Sequence, residues 1–447
     1  MGKGNVMKKE VRFVLDVLRG IPADPAGIDW YYTLGFLELN KVGAVFFGRC
    51  GKLKIALPQI VERQLSSLKK AQALRNDYLL SAIKEAGAAL ENSGVKYAFL
   101  KGSVLSNSDF LTDVPQKTVG QSHKALSVID GEGQPFYAEG ERVSNDIDLL
   151  ILPKDAGTVG KILKELGFVQ GYYDFKKGAI VPLSRQEIIS RRMNRGEAAP
   201  FLREGTAPGA PFIEIDLNFS LDYLPTGQET LVRDMLDRTL QYHCRGGGTI
   251  RSLSREDFFF HLVMHQYKEM TLYSMVKRRK DLSLYKLFDL YEMRRRAFYR
   301  QDVFRALVDS CGLSKQTALV LSVTDRVFCR AEEVSGAGAA AKNGDMQLPD
   351  GLSPWEDGAE ISFVPDGGIK IPENRIATGG EAETSERRFA AGGEAEMPAT
   401  DRNAAEGKFD CYAVVDPENA FKKYLFTAPV EIRIGDFNAQ TALVEAE

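Results

Sequence analysis

The sequence predicts an α/β (α+β) protein, in which N-terminal helices and a C-terminal helical domain flank a small mixed-sheet core. Three observations predict this class. Residues 8–95 carry apolar side chains at helical spacing, four short apolar runs follow between residues 96 and 218, and wide helical stripes return after Pro225. With 447 residues, 44% hydrophobic and 27% charged, the chain is long enough for two or three globular domains.

Composition narrows the possible partners and compartments. The formal net charge of -3 gives no field that would attract nucleic acid or an anionic membrane, so neither is expected as a partner unless a local patch binds it. The five cysteines are odd in number and lack a C-x-x-C pair, which predicts reduced thiols. No signal peptide, myristoylation signal or membrane span is expected from the sequence. We therefore expect a cytoplasmic protein.

The first region, residues 1–95, is expected to be helical and to end at Gly94. The apolar run Lys96–Leu100 predicts a strand directly after it. That strand ends at a Gly-Ser turn, after which Val104 would begin another helix. Residues 107–135 show no sustained apolar period and predict an irregular loop.

Three further strands complete the predicted core, which spans residues 96–235. Ile147–Leu152 is the second strand, and the helix that follows it is expected to end at Gly167. Phe168–Tyr173 and Phe212–Asn218 are the third and fourth strands. Residues 184–211 hold several arginines, glycines and prolines and predict another long connection before the fourth strand.

The remaining chain divides into three predicted parts. Residues 236–330 carry wide apolar stripes typical of packed helices and predict a helical domain. Residues 331–408 are rich in Gly, Ala, Glu and Pro with few large apolar residues, which predicts a disordered linker. Residues 409–447 form a short C-terminal segment with two short apolar runs whose role the sequence leaves open.

The candidate site begins with Asp146 and Asp148, which flank Ile147 on the second strand. Residues two apart on a strand point to the same face, about 6.5 Å apart along it. Apolar neighbours make two like charges costly there unless a cation compensates them, and a divalent metal is the usual one. A third carboxylate must come from a neighbouring strand; Asp216 is preferred, and Glu214 shares its face and remains the alternative.

A turn before the aspartate pair supplies groups suited to a phosphate. Gly102 would let the backbone approach a phosphate, while the following N–H groups and the Ser103 hydroxyl would bind its oxygens. Lys101 would either add positive charge to this turn or lie at the surface beside it. Arg142 would either contact a triphosphate or form a salt bridge with the aspartate pair.

In these motifs the chain resembles the DNA polymerase beta-like nucleotidyltransferase superfamily, and within it an uncharacterised bacterial nucleotidyltransferase family. The superfamily pattern is an apolar residue, Gly, then Gly or Ser, a later Asp-x-Asp pair, and finally an acidic residue on a strand. This sequence matches it in order with Leu100, Gly102-Ser103, Asp146-Ile147-Asp148 and Asp216. The narrower resemblance covers about residues 75–300 and adds Leu100-Lys101-Gly102, Arg142 before Asn145-Asp146, His261–His265 and Lys280-Asp281-Leu282. The gap between Gly102 and Asp146 is longer than in the superfamily pattern.

The resemblance implies a metal-dependent nucleotidyltransferase that binds a nucleoside triphosphate such as ATP. It would transfer the nucleoside monophosphate to an acceptor hydroxyl and release pyrophosphate. Asp146 and Asp148 would hold Mg²⁺ or Mn²⁺, and Asp216 would hold the catalytic metal and help deprotonate the acceptor. The acceptor, a small molecule, peptide or protein, stays open. The alternatives are a non-catalytic, antitoxin-like binding module with the same fold and a phosphotransferase that uses the same metal clamp.

Other polar motifs have plainer interpretations. His265 is expected to be a core histidine, with a functional role as the alternative. His261 and His265 share a helix face and could chelate a metal, but Leu262 stands where the zinc motif H-E-x-x-H has glutamate. The basic runs at 277–280 and 294–296 are interpreted as solvated helix faces, with a phosphate-bearing acceptor or RNA as the alternative.

Overall fold

The computed structural model describes residues 8–113, 136–189, 198–207, 210–221, 229–271, 275 and 281–328. The predicted linker at 331–408, the C-terminal segment at 409–447 and the basic run at 277–280 lie outside the described residues. None of the helices in the described ranges is long and apolar enough to cross a membrane.

Four helices form the N-terminal region, as the sequence predicts. They are α1 (Lys9–Arg19), α2 (Trp30–Leu39), α3 (Gly43–Leu53) and α4 (Gln59–Ser93). Glycines in the left-handed conformation end the first and the last of them, Gly20 with φ 84° and Gly94 with φ 73°. The apolar face of α1, including Val14 and Leu18, is fully buried against the neighbouring helices.

The described strands form one nine-stranded mixed sheet in the order β2-β8-β9-β1-β3-β7-β6-β4-β5. Two of the neighbouring pairs, β1 with β9 and β3 with β7, are parallel, and the others are antiparallel. The strands are β1 (Tyr97–Leu100), β2 (Ser108–Asp113), β3 (Ile147–Ile151), β4 (Val169–Asp174), β5 (Ala179–Pro182), β6 (Phe201–Ala207), β7 (Ala210–Asn218), β8 (Leu240–Cys244) and β9 (Thr249–Ser252). The four strands that the sequence predicted are confirmed as β1, β3, β4 and β7.

The sheet is larger than the sequence indicated. Residues 108–113, expected in a loop, form β2 and pair with β8. The region predicted as helical from residue 236 begins with the hairpin β8–β9, whose turn contains three glycines with positive φ. These strands are short and polar, so their apolar period is weak. They form by pairing with each other and with distant strands: β9 pairs with β1, where Ser252 lies opposite Phe99, and β8 pairs with β2.

The remaining helices flank the sheet and build the C-terminal helical region. They are α5 (Lys101–Leu105), α6 (Ala156–Glu165), α7 (Glu229–Asp237), α8 (Arg255–Thr271), α9 (Leu284–Arg295), α10 (Gln301–Ser310) and α11 (Ser314–Phe328). Helix α8 packs against α9, α10 and α11 through fully buried rings that include Phe259, Phe260 and Phe288. The predicted fold class is therefore confirmed: a mixed sheet with N-terminal helices and a C-terminal helical region.

The two faces of β7 differ: one packs into the core and the other is polar. Ile213 and Ile215 are completely buried, and Arg203, the β6 partner of Ile213, donates to Glu85 of α4 at 2.8 Å. This face of β7 therefore looks toward the helical layer that contains α4. The alternate residues, among them Asp216, point to the opposite face of the sheet.

Candidate active site

The parallel pairing of β3 and β7 brings the predicted carboxylates together. Asp148 lies opposite Asp216 in the register, and the same register continued by one step places Asp146 beside Glu214. The Asn218 side-chain amide donates to Asp148 Oδ1 at 3.1 Å, so the polar face of β7 looks toward the aspartate pair. Four carboxylates thus share one face of two adjacent strands.

Burial and mutual repulsion raise the pKa values of three of these carboxylates. Burial, followed by the charges of Glu214, Asp148 and Asp146, raises the pKa of Asp216 to about 8. Burial and the aspartate pair also raise the pKa of Glu214, and burial and Asp148 raise the pKa of Asp146. A set of carboxylates that resists ionisation is short of positive charge.

Lys101 supplies part of that charge. Its Nζ donates to Asp148 Oδ1 at 2.7 Å, and its side chain is 20% exposed, so it lies in the site and not at the surface. Burial alone would raise the pKa of Asp148, but the Lys101 ammonium and the Asn218 amide lower it below its usual value. Lys101 adopts the left-handed conformation with φ 54°, directly after β1.

The Gly-Ser turn is tightly packed. A Cβ on Gly102 would lie 2.9 Å from Ser144 Oγ and 3.3 Å from Arg142 Nη1, so the absence of a side chain allows this close approach. Ser103 is 1% exposed, and its hydroxyl donates to the Leu100 carbonyl at 2.6 Å. In this structure the Ser103 hydroxyl therefore closes the turn.

Arg142 pairs with a residue that the sequence analysis did not consider. Its Nε donates to Asp289 Oδ1 at 2.9 Å and its Nη2 to Oδ2 at 2.7 Å, instead of to either member of the aspartate pair. The Tyr137 hydroxyl donates to the same Asp289 carboxylate at 2.5 Å. Asp289 lies on α9, so this buried pair fastens the segment before β3 to the helical region.

A cavity of about 220 Å³ lies between the sheet and the helical region. Lys101, Gly102, Arg142, Asp146 and Asp148 contribute to its wall on the sheet side. The helices contribute a second group that includes His265, Glu269, Tyr285, Lys286 and Asp289, and the N-terminal region contributes Lys41. Asp216 and Ser103 do not line the cavity.

The helical side of the cavity holds a polar cluster that the sequence analysis missed. His265 Nε2 lies 3.3 Å from Glu269 Oε1 and 3.2 Å from Lys286 Nζ, and Lys286 forms an ion pair with Glu269. Burial and the nearby lysine charges lower the pKa of His265 to about 4, so its ring is neutral at pH 7. The i,i+4 spacing of His265 and Glu269 was a usable signal, but Lys286 comes from another helix.

His261 is the core histidine of the pair. It is 3% exposed, and its ring lies 6.3 Å from that of His265 in a nearly parallel orientation. Burial, with the nearby Lys101 charge, lowers its pKa well below the usual value.

Helix α4 holds the segment that leads into Asp146. Arg75 Nε donates to the Ser144 carbonyl at 3.2 Å and its Nη2 to the Asn145 carbonyl at 2.9 Å. Asn76 Nδ2 donates to the Arg142 carbonyl at 2.8 Å. The N-terminal helices thereby fix the position of the aspartate pair.

The donor set fits a divalent cation by charge. Within the described ranges, no three His, Cys, Asp or Glu side chains stand ready as a metal site in this conformation. One oxygen of Asp148 is engaged by Lys101 and Asn218, so a cation would have to share or replace those contacts. Burial and, after it, the neighbouring carboxylates raise the pKa values of Asp146, Glu214 and Asp216, which is the direction expected of carboxylates without a compensating cation.

Comparison with protein families gives a match to part of the chain. Residues 136–329 match a family model described as an uncharacterised nucleotidyltransferase. This segment contains Arg142, the aspartate pair and Asp216, whereas the Gly-Ser turn precedes it. No curated protein and no solved structure matches the chain.

Proposed function

We propose, from the match of residues 136–329 to the uncharacterised nucleotidyltransferase family, that the chain transfers a nucleoside monophosphate from a nucleoside triphosphate to an acceptor hydroxyl. Pyrophosphate is the other product. The observation that carries the proposal is the carboxylate cluster, in which Asp148 of β3 lies opposite Asp216 of β7 in parallel register and Asp146 directly precedes β3. Such a transfer requires clustered carboxylates of this kind to hold the metal ions.

Asp146, Asp148 and Asp216 are the residues that would hold Mg²⁺ or Mn²⁺. A bound cation would lower the pKa of the acceptor hydroxyl and offset the charge that develops on the leaving pyrophosphate. Glu214, on the same face as Asp216, adds negative charge to the group and remains an alternative ligand.

Asp216 is also the proposed proton acceptor for the attacking hydroxyl. Without a cation, burial and three neighbouring carboxylates raise the pKa of Asp216 to about 8, so Asp216 would need the positive charge of a bound cation to be ionised and to act as a base at neutral pH. Asp148 is not suited to this role, because the Lys101 ammonium stabilises its ionised form.

Lys101 and Gly102 form the proposed phosphate-binding side of the cavity. Lys101 would exchange its contact with Asp148 for a phosphate oxygen, and Gly102 lines the cavity beside it. Arg142 lines the same cavity, but its guanidinium is already bound by Asp289, so we assign it the role of positioning the segment before Asp146.

The proposal is tested by incubating the full chain with each of the four nucleoside triphosphates, labelled on the α-phosphate, with Mg²⁺ or Mn²⁺. Label transfer to an acceptor together with pyrophosphate release is expected. Asp146→Asn with Asp148→Asn is expected to abolish transfer and metal-dependent nucleotide binding, whereas Asp302→Asn, at an exposed site on α10, should behave as the wild type.

Three outcomes would redirect the assignment. Release of a nucleoside diphosphate in place of pyrophosphate would indicate phosphotransfer. A stoichiometric protein partner that co-purifies without any turnover would favour the antitoxin-like binding module. Metal-dependent nucleotide binding that persists in the double aspartate variant would refute the assigned site.

A further inference from the structure

The Lys101 ammonium lies at a carboxylate that the proposed function assigns to a metal ion. Its Nζ donates to Asp148 Oδ1 at 2.7 Å, and the Asn218 side-chain amide donates to the same oxygen at 3.1 Å. The Lys101 and Asp148 side chains are only 20% and 7% exposed, so this ion pair lies largely out of water. A cation that binds Asp148 therefore has to compete with a charge that the chain itself supplies.

Lys101 and a divalent cation at the aspartate pair would repel each other. Both are positive, and both would contact the same small group of carboxylate oxygens, a few ångströms apart. In a partly buried site this repulsion is screened much less than it would be in water. The presence of Lys101 at Asp148 must therefore weaken the binding of a metal ion to the pair.

The position of Lys101 in the fold maintains its contact with the pair. Leu100, the residue before it, lies opposite Asp148 in the antiparallel register of β1 and β3. Lys101 begins α5 with φ 54°, a left-handed conformation that residues other than glycine rarely adopt, and Gly102 and Ser103 after it are buried. Such strain persists only where the surrounding structure enforces it, and it is frequent at binding sites.

The Lys101 side chain can also reach a ligand in the cavity. Lys101, Gly102, Asp146 and Asp148 all line the same cavity of about 220 Å³. A lysine side chain is long and flexible and carries three donors, so its ammonium can turn from a carboxylate to a phosphate oxygen without a change in the backbone. One group can thus serve Asp148 before a nucleotide binds and the nucleotide afterwards.

We propose that Lys101 keeps the affinity of the aspartate pair for a divalent cation low until a nucleoside triphosphate binds, so that the nucleotide controls metal binding. This inference rests on the proposed function. A phosphate that draws Lys101 away from Asp148 frees a carboxylate oxygen and removes one positive charge from the pair. Binding of the nucleotide and of the cation is then coupled, and the coupling is reciprocal.

The first test measures Mn²⁺ binding to the full chain without nucleotide, by calorimetry, in Lys101→Met and in a matched control, Lys96→Met. Lys96 directly precedes β1 and pairs with Asp237, and these side chains are 55% and 46% exposed. Lys101→Met is expected to bind Mn²⁺ about tenfold more tightly than the wild type, because the competing charge is removed. Lys96→Met should stay within about twofold of the wild type, since its ion pair is exposed and lies outside the cavity.

The same titrations are repeated with a non-hydrolysable analogue of ATP. The analogue should tighten Mn²⁺ binding more in the wild type than in Lys101→Met, because only the wild type has a lysine to withdraw from Asp148. The direct contact between metal and phosphate is common to both proteins. The difference between them therefore reports on Lys101 alone.

A further measurement needs no substitution at the site. The wild-type chain is treated briefly with acetic anhydride, and acetylation of individual lysines is followed by mass spectrometry. Saturating Mn²⁺ alone should increase the acetylation of Lys101, because the metal displaces its ammonium from Asp148. Acetylation of Lys96 should not change, since Lys96 lies outside the cavity.

The outcomes separate this inference from the proposed function. Equal Mn²⁺ affinity in Lys101→Met and Lys96→Met, or acetylation of Lys101 that Mn²⁺ leaves unchanged, would overturn the inference and leave the proposed function intact. Equal tightening by the analogue in the wild type and in Lys101→Met would also overturn it, because the nucleotide would not act through Lys101. A wild-type chain that binds none of the four nucleoside triphosphates would remove the proposed function, and the inference with it.

Discussion

The buried ion pair between Arg142 and Asp289 makes a quantitative prediction. The side chains are 8% and 2% exposed, and the carboxylate accepts hydrogen bonds from both the guanidinium and the Tyr137 hydroxyl. Asp289→Asn removes the negative charge and leaves the Arg142 cation buried without its counter-ion. Tyr137 would keep one acceptor oxygen.

The expected loss of stability follows from this burial. Removing one partner of a buried ion pair costs about 3–5 kcal/mol, because the remaining charge is desolvated and unpaired. The asparagine oxygen retains part of the hydrogen bonding, so we expect about 3 kcal/mol for Asp289→Asn. Replacing both partners, with Arg142→Met and Asp289→Leu, should cost less than the single change, because no buried charge is left unpaired.

Denaturant unfolding of the full chain, followed by circular dichroism, measures these differences. The matched control is Glu91→Gln, which breaks the pair of Glu91 with Arg251, where the Glu91 side chain is 41% exposed. An exposed pair contributes about 0–1 kcal/mol, so this variant should unfold close to the wild type. An Asp289→Asn protein that is as stable as Glu91→Gln but binds nucleotide more weakly would refute the structural role of Arg142. Arg142 would then be assigned to nucleotide binding.

Three further predictions concern charge and backbone. Because burial and neighbouring carboxylates raise the folded-state pKa of Asp216 to about 8, the folded chain holds a proton that the unfolded chain loses above its ordinary pKa of 3.8. Stability without metal should therefore fall as the pH rises from about 4 to about 8, and Asp216→Asn should flatten this profile in denaturation at a series of pH values. Lys101→Met should destabilise the metal-free chain by about 3 kcal/mol, since its carboxylate partner stays buried, and added Mg²⁺ should restore part of the loss in thermal melts. Gly140→Ala should lower the free energy of unfolding by about 2–4 kcal/mol, because Gly140 has φ 71° and the new Cβ would lie 2.2 Å from the Lys69 carbonyl oxygen. The control, Gly94→Ala, has φ 73° but open space around it and should cost only about 1 kcal/mol. Equal losses in the two variants would show that the contact with Lys69 is unimportant.

Local sequence patterns were sufficient to predict the strands that carry the carboxylates. The alternation in β3 and β7 predicts which side chains share a face, and the structure places Asp148 opposite Asp216 on that face. The strands β8 and β9 could not be predicted in the same way. They are five and four residues long, and β9 is stabilised by pairing with β1 and β8 by pairing with β2, both of which lie far away in the sequence.

The partners of the charged site residues were beyond local reasoning. Arg142 and Asp289 are 147 residues apart, and Lys101 and Asp148 are 47 apart, so no spacing rule joins them. Only the tertiary fold decides which of several nearby carboxylates a buried cation meets. The aspartate pair was visible because its two members are only two residues apart, whereas the other residues that line the cavity come from separate parts of the chain.

The position of β1 has a consequence for the design of truncated forms of this protein. The recognised segment starts at residue 136, yet β1 lies between β9 and β3 in the middle of the sheet. A fragment of residues 136–329 would expose two unpaired strand edges where β1 belongs, which invites aggregation. It would also lack Arg75, which holds the backbone before Asp146. The shortest fragment worth expressing therefore includes α4 and β1.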